Sequence, residues 1–196
     1  MDKPIIGKRV VLFPFEATEL SHFVELHRQD KNGMLGRFCL KDLPQEAGES
    51  FFAEILLLGQ IRIWSVYTKN GKASQKIGYM YIDDITPISC SLIGILDKSI
   101  SKGLIKILNS GKYSWSEDAI RTLCKYIFEN GINRIEYSFF NGNKLSENLA
   151  KKCGFKFEGI KRQCFKFGEE LRDIVSYSLL KSDVSNDEDN NEQNRK

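Results

Sequence analysis

Most of the residues able to do chemistry fall between Arg134 and Leu180. The segment reads Arg134-Ile-Glu136, Asn143-Lys-Leu-Ser146, Gly154-Phe155-Lys-Phe-Glu158-Gly159, Arg162, Gly168, Asp173 and Tyr177-Ser-Leu-Leu180. On spacing alone, Asn143 and Ser146 are a capping pair at a helix start, where such side chains satisfy orphan amides. Glu136, a lone acid on a strand, faces solvent or pairs with Arg134; Glu158 and Arg162 are placed to pair on a surface. Upstream, Asn109-Ser-Gly111-Lys112-Tyr-Ser114-Trp-Ser116 opens a helix at Glu117-Asp118. Backbone amides at a helix start, with a glycine and a lysine, suit an anion such as a phosphate. The competing reading there is a capping box of Ser114 and Glu117.

The elements that must carry these residues follow from periodicity. Arg9–Phe15 predicts a strand ended near Pro14, and Thr18–Gln29 a helix with Thr18 as its cap. Gln45–Leu58 predicts a second helix stopped by Gly59. Ile61–Thr68 and Lys76–Ile85 predict a hairpin across Asn70-Gly71, with Ser91–Leu96 the third strand of a meander. A helix over 116–130 follows, closed by Gly131. Then come a strand at Arg134–Phe140, a short helix at Ser146–Cys153 and a strand starting at Phe155–Gly159. Cys164–Phe167 and Asp173–Leu180 form a last hairpin around Gly168. The fold class is α/β, a mixed central sheet flanked by helices.

Motif order and spacing from Arg134 onward resemble the GNAT acyl-CoA N-acyltransferases, in the branch of ribosomal-protein N-terminal and amino-sugar acetyltransferases. The predicted element order agrees with that fold. The resemblance implies acetyl transfer from acetyl-CoA to a primary amine by direct attack in a ternary complex. It implies Asn143 against the pantetheine arm and Ser146 as the hydroxyl that assists the leaving thiolate. Tyr177 is the second choice near the thioester, and Glu136 matches an acid common in the branch. Gly111, Lys112, Ser114 and Ser116 would cradle the pyrophosphate, although the branch's Q/R-x-x-G-x-G/A loop keeps one glycine here. A nine-residue insertion, Ile100–Leu108, precedes the loop. The strand Glu that many relatives use as base is missing from Ser91-Leu92-Ile93-Gly94. A GNAT-fold protein that binds acyl-CoA or a protein partner without turnover is the alternative.

Composition bounds the rest. A chain of 196 residues with 41% hydrophobic and 28% charged residues is one ordinary globular domain, taken as 1–181. Residues 182–196 lack an aromatic and read as a disordered acidic and polar tail. Residues 183–196 hold five acids and two bases, leaving 27 bases against 21 acids, or +6, on the remainder. That excess suits an anionic cofactor and is not clustered enough for nucleic acid. No apolar run is long enough for a membrane and no signal core opens the chain, so a cytoplasmic location is expected, as monomer or homodimer. Five scattered cysteines with no CxxC pair argue against a disulfide framework and a zinc site, and no metal is expected. His22 and His27 are assigned to a solvated helix face. Cys153 and Cys164 have no neighbouring His in sequence, which argues against a covalent cysteine mechanism.

Overall fold

The computed structural model describes residues 3–30, 38, 40, 42–69, 74–97 and 114–184. Eight strands form one sheet: β1 (Ile5–Ile6), β2 (Val10–Pro14), β3 (Arg62–Thr68), β4 (Lys76–Asp83), β5 (Ser89–Leu96), β6 (Arg134–Phe140), β7 (Lys156–Phe167) and β8 (Glu170–Leu180). Their spatial order is β1-β2-β3-β4-β5-β6-β8-β7. Every neighbouring pair is antiparallel except β5 and β6, which are parallel. A parallel pair needs a crossover, and the helix between these two strands supplies it.

Helices α1 (Leu20–Arg28) and α2 (Gln45–Leu57) cover one face; α3 (Trp115–Glu129) and α4 (Lys144–Lys152) cover the other. Each is amphipathic at helical spacing. Phe23, Val24, Leu26 and His27 are the buried set of α1, and Ala119, Ile120, Leu123, Cys124 and Ile127 that of α3. The first set packs on Ile63, Tyr79, Tyr81 and Ile95. The second packs on Val66, Met80, Ile82, Leu92 and Tyr137. Strand alternation sorts these two groups of sheet residues onto opposite faces. At Gly78, φ is +148° and an added Cβ would lie 2.0 Å from the Ile95 carbonyl oxygen, so only glycine lets β4 pass β5 there.

Several expectations are corrected. The short first strand β1 was not foreseen. Thr18 lies inside a 3₁₀ turn, Ala17–Glu19, and the residue preceding that turn is Glu16, whose amide donates to Glu19 Oε2 at 3.2 Å. The strand begun at Phe155–Gly159 and the strand at Cys164–Phe167 are one continuous β7. Residues 182–184, assigned by composition to the tail, belong to a helical turn at 181–184. Asp183 there accepts from the Leu180 amide at 3.0 Å, and Val184 packs on the core.

Of the two histidines assigned to a solvated face, His22 is exposed as expected and His27 is buried. His22 pairs with Asp97 (Nε2 to Oδ2, 3.2 Å) and its Nδ1 lies 2.9 Å from the Tyr79 hydroxyl. His27 is 1% exposed, with Nδ1 3.1 Å from the Phe23 carbonyl and Nε2 3.0 Å from the Tyr81 hydroxyl. Burial pushes His27 down to about 4, against an ordinary value of 6.5. Below pH 6.5 the unfolded chain binds a proton that the folded chain refuses, so stability falls as pH drops from 6.5 towards 4. The loss attributable to His27 reaches about 3 kcal/mol at the lower end. Urea unfolding across this window should show that slope, and His27→Gln should flatten it.

Candidate functional site

The site begins with a failure of pairing. β5 and β6 share only Ser89–Arg134, Cys90–Ile135 and Ser91–Glu136. Among the described residues, β5 continues beyond them to Leu96 bonded to β4 alone, and β6 continues to Phe140 bonded to β8 alone. The β6-facing edge of Leu92–Leu96 has no strand partner among those residues. Such an edge is costly to bury dry and is a ready template for an extended polar chain.

A cleft of about 420 Å³ lies over this opening, on the α3 and α4 face. Its floor is Val66, Met80, Gly94 and Leu96, and Tyr137 comes from β6. Trp115, Ser116 and Ile120 of α3 form one wall; Leu145, Ser146, Leu149 and Lys152 of α4 form the other. Gly94 is exposed in the middle of the sheet, and a Cβ added there meets nothing within 4 Å. The cleft floor is therefore bare backbone at this point, with room for a ligand above it.

The predicted residues divide. Ser146 and Ser116 line the cleft, and so does Ser114, the N-cap of α3. Ser114 Oγ accepts from the Glu117 amide at 3.1 Å, which is half of the expected capping box; the Glu117 carboxylate binds Arg121 instead, at 3.1 Å. Asn143 is the N-cap of α4, its Oδ1 accepting from the Ser146 amide at 3.2 Å; it is 7% exposed and does not line the cleft. Gly111 and Lys112 lie outside the described residues. Tyr177 is not brought to the cleft. It is 4% exposed, stacked on Phe139 at 5.6 Å and edge-on to Phe157.

Glu136 stands at the crotch of the splay, on the α1 and α2 side of the sheet, since Ile135 and Tyr137 take the other face. Its Oε1 is 3.2 Å from Arg134 Nη2. Arg134 binds Glu158 more closely, with both terminal guanidinium nitrogens on the carboxylate and Nη1–Oε1 at 2.7 Å. Glu158 therefore pairs with Arg134 and not with Arg162. Hydrogen bonds from Arg134 and Ser178 hold it down to about 2.

Sequence reasoning missed Tyr137. Burial raises its hydroxyl above the ordinary phenol value, against the pull of the neighbouring Ser146 side chain. No local signal separates it from Tyr177, because the two are direct partners across β6 and β8 and share a face. Of this pair, only Tyr137, on the strand next to the splay, lines the cleft. Burial pushes the Cys153 thiol up to about 12, which disfavours its reactive thiolate.

Two halves of one sheet parted after three shared pairs, with α3 and α4 over the gap, match solved structures along nearly the whole chain. A probable GNAT-family acetyltransferase from Chromobacterium violaceum superposes with a TM-score of 0.71 at 20% identity, over 94% of this chain and 89% of that one. The chain has the GNAT fold. A ribosomal L7/L12 α-N-protein acetyltransferase solved with coenzyme A shares this GNAT architecture at a TM-score of 0.70 and 16% identity, over 91% and 98%. A spermidine N-acetyltransferase from Vibrio cholerae, solved with CoA and spermine, does so at 0.71 and 16%, over 89% and 96%. No family model and no curated protein matches the sequence.

The capping geometry sets a test for Asn143. Asn143→Ala should lower the stability of the ligand-free protein by about 1 kcal/mol in urea unfolding, and Asn143→Asp should restore most of it.

Proposed function

We propose that the cleft binds acetyl-CoA and that the protein transfers its acetyl group to a primary amine, by direct attack and without an acyl-enzyme. The observation that carries this reading is the bare, unpaired edge of β5 at Gly94, beside the Ser146–Tyr137 hydroxyl pair. A pantetheine arm is an extended chain with two amides, and that edge presents the matching N–H and C=O groups at strand spacing. The cofactor supplies an activated acetyl thioester; positioning it on a rigid strand supplies much of the acceleration. The GNAT structures solved with CoA and the amine spermine support the same substrate classes.

The residues divide the work between them. Ser146 donates to the thiolate as it forms, a bond that strengthens as charge develops. Tyr137 beneath it accepts or donates to keep the serine proton aimed into the cleft. Ser116 and the free amides of the first α3 turn favour the anionic end of the cofactor. Asn143 acts by holding the first turn of α4, and hence Ser146, in place. Glu136 is the carboxylate nearest the crotch on the acceptor side and is proposed to receive the amine proton directly or through water. Gly111 and Lys112 remain proposed contacts to the phosphates.

One observation favours a second reading, in which the protein binds acyl-CoA without turnover: Arg134 already engages Glu136. Two measurements separate the readings. CoA at about 100 times its dissociation constant should add roughly 2.7 kcal/mol of stability, and Gly94→Leu should abolish the shift while leaving the ligand-free melting temperature near that of wild type. An absent shift in wild type sinks both readings. Thiol release across peptides, amino sugars and polyamines then tests turnover. Ser146→Ala should lower kcat by about 10- to 100-fold with KM for acetyl-CoA little changed. Equal turnover in that variant removes Ser146 from the mechanism.

A further inference from the structure

The first turn of α3 contains a polar group with no partner. Trp115 is 3% exposed, and its Nε1 has no hydrogen-bond acceptor among the described residues. The residue belongs to the core beside Ala119 and Ile120, carries the Arg9 guanidinium 5.4 Å from its ring centroid, and lines the cleft. Trp64, the other tryptophan, leaves no such orphan. A buried indole N–H normally finds an acceptor, because an unmade bond there costs the desolvation of the donor. Phenylalanine would fill most of the same space without that cost.

We propose that Trp115 is a cofactor-binding residue, donating its indole N–H to an oxygen of bound acyl-CoA over the start of α3. This rests on the acyl-CoA reading of the cleft. Two donors of different kinds then converge on the ligand at one place: the positive end of a 15-residue helix and an indole buried beside it. The helix end alone would accept any anion, whereas the indole adds a directed bond at a fixed position. Trp115 thereby compensates in this chain for a loop with few glycines, whose bare amides would otherwise provide the donors. The Nε1 is closed off from solvent in the empty protein, so the bond forms by a small turn of the ring towards the cleft it lines; ligand binding then satisfies an orphaned group, and the bond contributes to affinity and not to folding.

Two measurements test this. In wild type, the two indole N–H signals are followed by ¹H–¹⁵N NMR during titration with CoA. One should move downfield and become protected from exchange while backbone amides of α3 and α4 also move. Pantetheine, which lacks the diphosphate, separates the sources: movement with both ligands puts the acceptor on the amide arm, and movement with CoA alone puts it on the diphosphate. Trp115→Phe should weaken CoA binding by on the order of tenfold, with a ligand-free melting temperature equal to or above that of wild type. The proposal is overturned if both indole signals stay fixed while amides titrate, or if the folded variant binds CoA as wild type does. If no signal of any kind responds to CoA, the acyl-CoA reading itself has failed, which is a different result.

Discussion

Everything that gives this molecule a site follows from two parallel strands that stay together for three residue pairs and then part. Parallel pairing is held in place by its crossover, and here the crossover ends in α3, whose Trp115, Ala119 and Ile120 stand over the gap. The outer edges of β5 and β6 remain bonded to β4 and β8, so each strand bordering the opening is held by its other neighbour. An opening between two anchored strands presents backbone at fixed spacing, which is what an extended ligand needs and what a flexible loop cannot offer without an entropic cost.

The polar residues around the cleft are mostly spoken for by local structure. Ser114 caps α3 and Asn143 caps α4. Asp118 accepts from the amides of Arg9 and Val10 (2.7 and 3.2 Å), which ties α3 to β2. These bonds fix where each helix starts, and a helix start decides where its first-turn side chains and free amides aim. Ser146 and Ser116 are left with hydroxyls at the cleft because their neighbours three and two residues earlier do the capping. Capping and ligand binding are thus not rivals at these two helices. The first makes the second reproducible.

How much of this was legible in the sequence depends on the range of the interaction. Amphipathic spacing gave the four helices within a residue or two, and alternation gave β3, β4 and β6, the last with both its ends. Local chemistry also read Asn143 and Ser114 correctly as caps. What failed was non-local. Tyr137 and Tyr177 have the same character and face, and only the strand order tells which one borders the gap. Glu158 was matched to Arg162 by proximity in sequence, but the irregularity in β7 between Phe157 and Gly159 turns it to Arg134 on β6. His27 was placed on a solvated face because nothing in its own helix reveals that Tyr81 and Phe52 enclose it. The loop expected to hold phosphates, with Gly111 and Lys112, lies outside the described residues.

The same non-local cluster bears on how an amine and a thioester could meet. The cleft opens on one face of the sheet and Glu136 stands on the other, at the point where the strands part. Two substrates approaching from opposite faces would meet through the gap without crowding each other. Arg134 does not close that route. Its closest bonds go to Glu158, which Ser178 also holds at 2.7 Å, whereas Glu136 is the longer partner at 3.2 Å. A partly exposed ion pair of this kind contributes about 0–1 kcal/mol, so an arriving ammonium group can exchange Glu136 away from Arg134 at little cost. Glu158 remains on the guanidinium throughout, and no buried charge is left unpaired. Under the proposed chemistry, Glu158 would serve by keeping Arg134 occupied, which would leave Glu136 available to the acceptor.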